Sequence, residues 1–166
     1  SCFQLWTSTE WAPRVAVLTN IAEDHLDYFD GDFDRYIAAK KRVAANLGAG
    51  DTLVTNLDDP IVGSWTAPEG ARTLYYSRKG AIPGDGTFVK EGELFYRLDG
   101  VTQPLVRVDT LPIPGAHNVE NALAAAAGAL ASGVPAEAIR TGLQTFPGLE
   151  HRIERVLTVK GARDLA

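Results

Sequence analysis

Four side chains that could bind a divalent cation lie within five residues of one another. They are Glu23, Asp24, His25 and Asp27, and they follow an apolar run at residues 15–18. Carboxylate oxygens are the ligands that hard cations such as magnesium prefer, and imidazole also serves as a metal ligand. If the apolar run is a buried strand, these residues follow its C-terminal end, where open α/β sheets usually bind their ligands.

A lysine is predicted to lie on the apolar face of the next helix. Residues 33–47 show helical periodicity and follow an Asp-Gly-Asp sequence at residues 30–32, where a short acidic side chain can cap the helix. The apolar positions that mark the buried face are Phe33, Tyr36, Ile37, Val43, Ala44 and Leu47. Lys40 falls on this face, whereas Lys41 does not.

The residues alone leave two interpretations of Lys40 open. In the first, its aliphatic stem packs on the core and its ammonium reaches water or pairs with Asp24 or Asp27. In the second, its amine is a catalytic group near the acidic cluster, because desolvation disfavours the charged form of a lysine. A neutral amine can react with carbon dioxide to form a carbamate, which would be an oxygen ligand for a cation beside His25.

The remaining patterns predict an α/β fold, with a mostly parallel sheet flanked by helices. The predicted buried strands are residues 14–20, 52–56 and 72–77. A strand, a helix and a strand in this order are typical of a parallel crossover. Residues 84–109 alternate around two turns that contain glycine, which predicts a small antiparallel β appendage. Two more helices are predicted, at residues 117–131 and from Pro135 to about residue 145.

Several other polar positions have both a structural and a functional interpretation. Asn56, Asp58 and Asp59 follow a predicted strand, and these residue types are also typical of a turn. Asn118 and Asn121 are three residues apart near the start of a helix, so they share a face. Either asparagine could be a cap or an ordinary polar contact instead of a ligand-binding group.

The composition restricts the classes of partner. A chain of 166 residues, 45% of them hydrophobic, can bury one sizeable core. A formal net charge of −5 and the lack of a basic run disfavour nucleic acid or an anionic membrane as a partner. The single cysteine, Cys2, excludes an internal disulfide and agrees with a cytoplasmic location. We expect Cys2 to be a packing residue, and the protein to be a monomer.

The beginning of the sequence resembles the interior of a longer chain. The sequence contains no methionine, and the apolar residues 1–5 are typical of the end of a strand. We therefore expect these residues to be a piece of a longer protein.

Ordered motifs over most of the chain resemble the central domain of a Mur ligase. The opening motif is Ser-Cys-Phe-Gln-Leu at residues 1–5, and the site motif is Leu-Thr-Asn-Ile-Ala-Glu-Asp-His-Leu-Asp at residues 18–27. The later motifs are Tyr-Ile-Ala-Ala-Lys at residues 36–40, Asn-Leu-Asp-Asp at residues 56–59, Pro-Gly-Ala-His-Asn-Val-Glu-Asn at residues 114–121 and Phe-Pro-Gly-Leu-Glu-His-Arg-Ile-Glu at residues 146–154. The first and last motifs are most similar to family members that add D-glutamate to UDP-N-acetylmuramoyl-L-alanine.

The resemblance implies an ATP-dependent ligase of peptidoglycan synthesis. Its cofactors would be ATP and Mg²⁺, and its substrates UDP-N-acetylmuramoyl-L-alanine and D-glutamate. It implies that His25 is a magnesium-site histidine, that Lys40 is the carbamylated lysine, and that Ser1 contacts the muramoyl substrate. The residues that it places at the nucleotide are Asn121, His151 and Arg152.

The resemblance also implies parts that lie outside these 166 residues. In the family, a phosphate-binding loop and a metal-binding glutamate precede the first motif, and no glycine-rich loop followed by Lys-Ser/Thr occurs here. Residues 1–154 would be part of the central domain and residues 155–166 the start of a C-terminal domain. We expect the isolated chain not to turn over ATP. Trp6 stands where many relatives have glutamate, which departs from the family pattern.

Two other functions remain as alternatives. One is a different ligase of the same superfamily, such as a folylpolyglutamate synthase-like enzyme. The other is a non-catalytic module that binds a metal or a nucleotide.

Overall fold

The computed structural model describes residues 1–149 as one six-stranded sheet covered by helices. The strands are β1 (Val15–Val17), β2 (Thr52–Asn56), β3 (Arg72–Ser77), β4 (Gly86–Lys90), β5 (Glu93–Leu98) and β6 (Val101–Arg107). The α-helices are α1 (Cys2–Thr7), α2 (Phe33–Lys41), α3 (Ala116–Ala131) and α4 (Ala136–Thr145). Short 3₁₀ helices are formed by Leu26–Phe29, Arg42–Ala44, Val62–Ser64 and Val108–Thr110. The predictions for His151, Arg152 and residues 155–166 lie outside the described residues.

The six strands lie side by side in the order of the sequence. The first four are parallel to one another, and β4, β5 and β6 pair antiparallel. The antiparallel strands therefore continue the parallel sheet from its β4 edge. In each of the two tight turns, Glu91-Gly92 and Asp99-Gly100, both residues have positive φ, as a type I′ hairpin turn requires. The predicted mostly parallel α/β fold with a small antiparallel part is confirmed.

Helices cover both faces of the sheet. Leu53 and Val54 are consecutive residues of β2 and therefore point to opposite faces. Leu53 belongs to a buried cluster that includes Ala39 of α2, and Val54 to a separate cluster that includes Leu123 of α3. The molecule is thus built from three layers, with α1 and α2 on one face and α3 and α4 on the other.

The alanine-rich helix α3 lies very close to the sheet. Ala126 and Ala127 have no exposed surface, and α3 contacts each of the strands β1 to β4. A Cβ at Gly128 would come within 3.2 Å of Cγ2 of Val17 in β1. The small alanine side chains therefore allow close helix–sheet packing.

The first residues form a helix, so the prediction that residues 1–5 end a strand is wrong. A capping box determines this outcome: Oγ of Ser1 accepts a hydrogen bond from the backbone N–H of Gln4, and Oε1 of Gln4 accepts one from the nitrogen of Ser1. The predicted packing role of Cys2 is confirmed, because Cys2 is buried in the helix–sheet interface.

Two predicted elements are shorter in the structure. The strand predicted at residues 14–20 is limited to Val15–Val17, because the segment beyond it bonds to the side chains of Asn56 in β2 and of Asp59 in the turn after β2. The helix predicted at residues 33–47 ends at Lys41 and continues as a 3₁₀ turn at Arg42–Ala44. Its N-terminus is as predicted, since Oδ1 of Asp32 accepts a hydrogen bond from the backbone N–H of Arg35 (3.0 Å).

No helix within residues 1–149 is long and apolar enough to cross a membrane.

We expect Gly86→Ala to lower the free energy of unfolding by about 3 kcal/mol or more. Gly86 has a φ of 142°, and a Cβ there would overlap the backbone carbonyl of Tyr75 in the paired strand. Urea denaturation measures the effect. The control is Gly142→Ala in α4, where a Cβ meets no atom within 4 Å, and where alanine should be neutral or stabilising by ~0.5–1 kcal/mol. Equal stabilities of the two variants would contradict the close strand approach at Gly86.

Candidate functional site

The candidate site lies where β1, β2 and β3 end. These three strands are parallel neighbours, so their C-terminal ends lie at the same edge of the sheet. The segments that follow them contain most of the polar residues identified in the sequence. This edge is where open α/β sheets usually bind ligands.

The segment that follows β1 is held by side chains from β2, from the turn after β2 and from β3. Nδ2 of Asn56 donates a hydrogen bond to the carbonyl oxygen of Thr19 (2.8 Å), and the hydroxyl of Tyr76 donates to the same oxygen (3.2 Å). Two residues later, the backbone N–H of Ile21 donates to Oδ2 of Asp59 (3.2 Å). The path of this segment is therefore fixed by β2 and β3.

The two carboxylates after β2 are occupied by protein donors. Oδ2 of Asp58 accepts a hydrogen bond from the backbone N–H of Arg78 (2.7 Å). Oδ1 of Asp59 accepts from the backbone N–H groups of Ile61 (2.9 Å) and Val62 (2.8 Å). The turn interpretation of this polar run is confirmed, and both aspartates have a structural role.

A cleft of about 210 Å³ brings together two residues that the sequence placed in the site. Ser1 and Lys40 line it together with Thr19 and Asn20, the residues that follow the end of β1. Thr19 and Asn20 are both exposed. The cleft therefore joins the first motif, the segment after β1 and the lysine of α2.

Lys40 is half-buried, and its ammonium lies against an aromatic ring. Nζ is 5.0 Å from the centre of the Tyr36 ring, which lies one turn earlier on the same helix. Among residues 1–149, Lys40 forms no ion pair, so the pairing with Asp24 or Asp27 that the sequence allowed is not observed. Lys41 is exposed, as its helical position predicted. Lys40 thus lines the cleft with a half-buried side chain whose amine lies against the Tyr36 ring.

The acidic cluster around His25 does not converge on one point. Nε2 of His25 lies 3.4 Å from Oδ2 of Asp24, and the imidazole lies 5.1 Å from the ring of Phe3. His25 is half-exposed and has a left-handed backbone with φ of 52°. Within residues 1–149, no group of three or more His, Cys, Asp or Glu side chains could hold a metal ion. His25 and Asp24 are therefore a pair of candidate donors.

Asn121 lies in a different place from the Lys40 cleft. It is exposed and lines a largely apolar groove of about 470 Å³ between α3 and α4.

Nδ2 of Asn118 donates to the carbonyl oxygen of Pro114 (2.7 Å), so Asn118 is a polar contact within the first turns. Nε of Arg78 donates to Oε1 of Glu120 (3.0 Å), which ties the end of β3 to the start of α3.

Comparison with known families identifies the fold. A model of the family described as "Mur ligase middle domain" matches residues 4–129. The chain belongs to the Mur ligase family. The matched residues include His25, Lys40 and Asn121, whereas Ser1 lies just before them.

Curated relatives of this Mur ligase chain share one activity name. The chain is 44% identical over 161 residues to the UDP-N-acetylmuramoylalanine–D-glutamate ligase of Shouchella clausii, and 41% identical over 163 residues to the ligase of the same name from Acidobacterium capsulatum. Each match covers 97% of this chain, but only 34% and 35% of the respective relative. The chain thus spans about a third of the length of the curated relatives that it matches.

Solved structures of Mur ligases and a related enzyme have the same fold. A pseudomurein peptide ligase type C from Methanothermus fervidus superimposes with a TM-score of 0.66 and 25% identity, over 87% of this chain and 36% of that one. A UDP-N-acetylmuramoylalanyl-D-glutamyl-2,6-diaminopimelate–D-alanyl-D-alanyl ligase from Acinetobacter baumannii has the same TM-score at 24% identity, over 89% and 32%.

Sequence reasoning missed the role of Tyr76 in this Mur ligase domain. Tyr76 was counted only as an apolar residue of a strand, yet its hydroxyl bonds to a residue 57 positions earlier. Burial raises the pKa of Tyr76 above its ordinary value, and the nearby carboxylates of Glu120, Asp59 and Asp58 raise it further. The hydroxyl is therefore protonated at neutral pH and acts as a donor. A tyrosine among the buried positions of a strand was the only signal.

We expect Asp59→Ala to destabilise this Mur ligase domain by about 3 kcal/mol, because three backbone N–H groups lose their acceptor. Urea denaturation measures the change. Glu69→Ala is the control: this exposed acidic residue lies outside the site, and its removal should change the free energy of unfolding by less than ~0.5 kcal/mol. A loss at Asp59 no larger than that at Glu69 would show that the carboxylate does not hold the segment after β1.

Proposed function

We propose that this chain is the central part of an ATP-dependent ligase that joins D-glutamate to UDP-N-acetylmuramoyl-L-alanine in peptidoglycan synthesis. The observation that carries the proposal is the identity of 41–44% to curated D-glutamate ligases over 97% of the chain. The activity is assigned to the longer protein. Residues 1–154 would belong to its central domain and residues 155–166 to the start of the next one.

The reaction would proceed through an acyl phosphate. The carboxylate of UDP-N-acetylmuramoyl-L-alanine attacks the γ-phosphorus of ATP and ADP leaves. The amine of D-glutamate then attacks the acyl carbon, an amide bond forms, and phosphate leaves. Negative charge collects on the transferred phosphoryl group, so the site has to supply cationic groups and exclude water. The cleft lined by Ser1 and Lys40 is suited to hold the muramoyl substrate beside such a group.

Magnesium is proposed to bind on the side of His25. His25 and Asp24 offer one nitrogen and one carboxylate close together. Mg²⁺ is commonly bound through one or two carboxylates and takes its other ligands from phosphate and water, and Asp24 would supply one such carboxylate beside His25. The ion would neutralise phosphate charge. Within this chain, His25 and Asp24 would orient it.

Lys40 is proposed to act as a carbamate. Its amine would combine with carbon dioxide, form a nitrogen–carbon bond and release one proton, which gives a carboxylate-like group. Its position in the wall of the cleft, with no ion pair within residues 1–149, supports the proposal because a carboxylate partner would hold the amine in its charged form. The carbamate oxygens would then hold a second magnesium ion.

The nucleotide is proposed to contact Asn121, His151 and Arg152. Asn121 is exposed and lines the groove between α3 and α4, where an amide can hydrogen-bond a base. Arg152 would supply positive charge for phosphate. We further propose that the protein is a cytoplasmic monomer without a nucleic-acid or membrane partner.

We expect the purified full-length protein to form one ADP for each D-glutamate joined to UDP-N-acetylmuramoyl-L-alanine, in a reaction that requires Mg²⁺. Mass spectrometry of the product and a coupled ADP assay measure this. L-glutamate and other amino acids are the controls and should give no product. Ligation of a different amino acid in preference to D-glutamate would assign the protein to another branch of the superfamily.

We expect Lys40→Ala in the full-length protein to lower kcat by at least about 100-fold. Added short-chain carboxylates such as formate should restore part of the activity by replacing the carbamate oxygens. Lys41→Ala is the matched control, because Lys41 is the neighbouring exposed lysine; it should retain activity. Near-full activity of Lys40→Arg would refute the carbamate, since a guanidinium cannot form it.

A further inference from the structure

Two buried donors converge on one backbone oxygen at the edge of the candidate site. The carbonyl of Thr19 accepts from Nδ2 of Asn56 (2.8 Å) and from the hydroxyl of Tyr76 (3.2 Å), and Tyr76 also lies 3.4 Å from the carbonyl oxygen of Leu18. Asn56 and Tyr76 are only 3% and 1% exposed. Both donors are therefore held rigidly by the strands from which they project.

We propose that Tyr76 is a positioning residue for the substrate cleft, and that it acts through the backbone of Thr19 and Asn20. This proposal rests on the ligase function proposed above. Tyr76 lies on β3, two strands away from β1, and does not line the cleft itself. It is distinct from the residues that the family motifs place in the site.

The geometry of the segment explains how the hydroxyl acts. Leu18 and Ile21 are buried on either side of the exposed residues Thr19 and Asn20. A carbonyl with two donors fixes the orientation of the peptide plane between Thr19 and Asn20, because both of its lone pairs are used. Asn20 is thereby held against the cleft that Ser1 and Lys40 line.

The surroundings of Tyr76 keep its hydroxyl a donor. Burial and the carboxylates of Glu120, Asp59 and Asp58 all raise its pKa, so it carries its proton throughout the physiological range. The backbone carbonyl oxygens of Leu18 and Thr19 can only accept. The direction of the hydrogen bonds is thus fixed by chemistry.

The test is Tyr76→Phe in the full-length protein, which removes only the hydroxyl and keeps the buried ring. The KM for UDP-N-acetylmuramoyl-L-alanine should rise about tenfold, while kcat and the KM for ATP stay within about twofold. A merely structural defect would lower the amount of active enzyme, and hence kcat, without raising the KM of one substrate. The control is Tyr96→Phe, which removes the hydroxyl that donates to Gln103 away from the cleft and should change none of these values.

Hydrogen exchange separates this inference from the proposed function. Peptides that cover residues 18–22 should exchange faster in Tyr76→Phe than in the wild type, and at the wild-type rate in Tyr96→Phe. If the wild type does not ligate D-glutamate, the proposed function fails, and the exchange result alone judges whether Tyr76 positions the segment. An unchanged KM for the muramoyl substrate in an active enzyme, or unchanged exchange at residues 18–22, would overturn the inference.

Discussion

At the carbonyl oxygen of Thr19, side chains of β2 and β3 bind the segment that follows β1. Strand β1 is only three residues long, so the backbone groups that follow it need partners other than a strand ladder. At Thr19 these partners are side chains, because its carbonyl accepts hydrogen bonds from Asn56 of β2 and Tyr76 of β3. The segment can take its path only when β1, β2 and β3 are in register. The geometry of the candidate site is therefore a consequence of sheet formation.

The two helical layers determine where Lys40 lies relative to that segment. On one face, Ala39 of α2 has no exposed surface and packs in the cluster that includes Ala16 of β1. On the other face, Gly128 of α3 allows the helix to approach Val17 of β1. Lys40 follows the buried Ala39 in the helix, and its side chain is half-buried beside the buried face. The packing of α2 on β1 therefore places Lys40 in the wall of the cleft.

Local patterns predicted the sheet and the hairpins well, but they did not predict features that depend on distant partners. Strand β3 was placed correctly because its apolar residues and its flanking turns are local signals. Residues 1–5 were assigned to a strand because a short apolar run is ambiguous, and only the reciprocal bonds of Ser1 and Gln4 decide for a helix. The role of Tyr76 depends on a partner 57 residues earlier in the chain, which no local pattern contains. Lys40 was placed on the correct helix and face, although its partner is the Tyr36 ring.

The polar groups at the sheet edge divide into those that the protein already uses and those that remain accessible. The carboxylates of Asp58 and Asp59 accept hydrogen bonds from the backbone, and these and the other bonds that they accept use most of their acceptor capacity. Within residues 1–149, the side chains of His25 and Lys40 form no such bonds to the backbone; His25 is half-exposed and Lys40 lines the cleft. The two aspartates that follow β2 therefore stabilise the turn at this edge. Chemistry at this edge has to come from the groups presented by the segment after β1 and by α2.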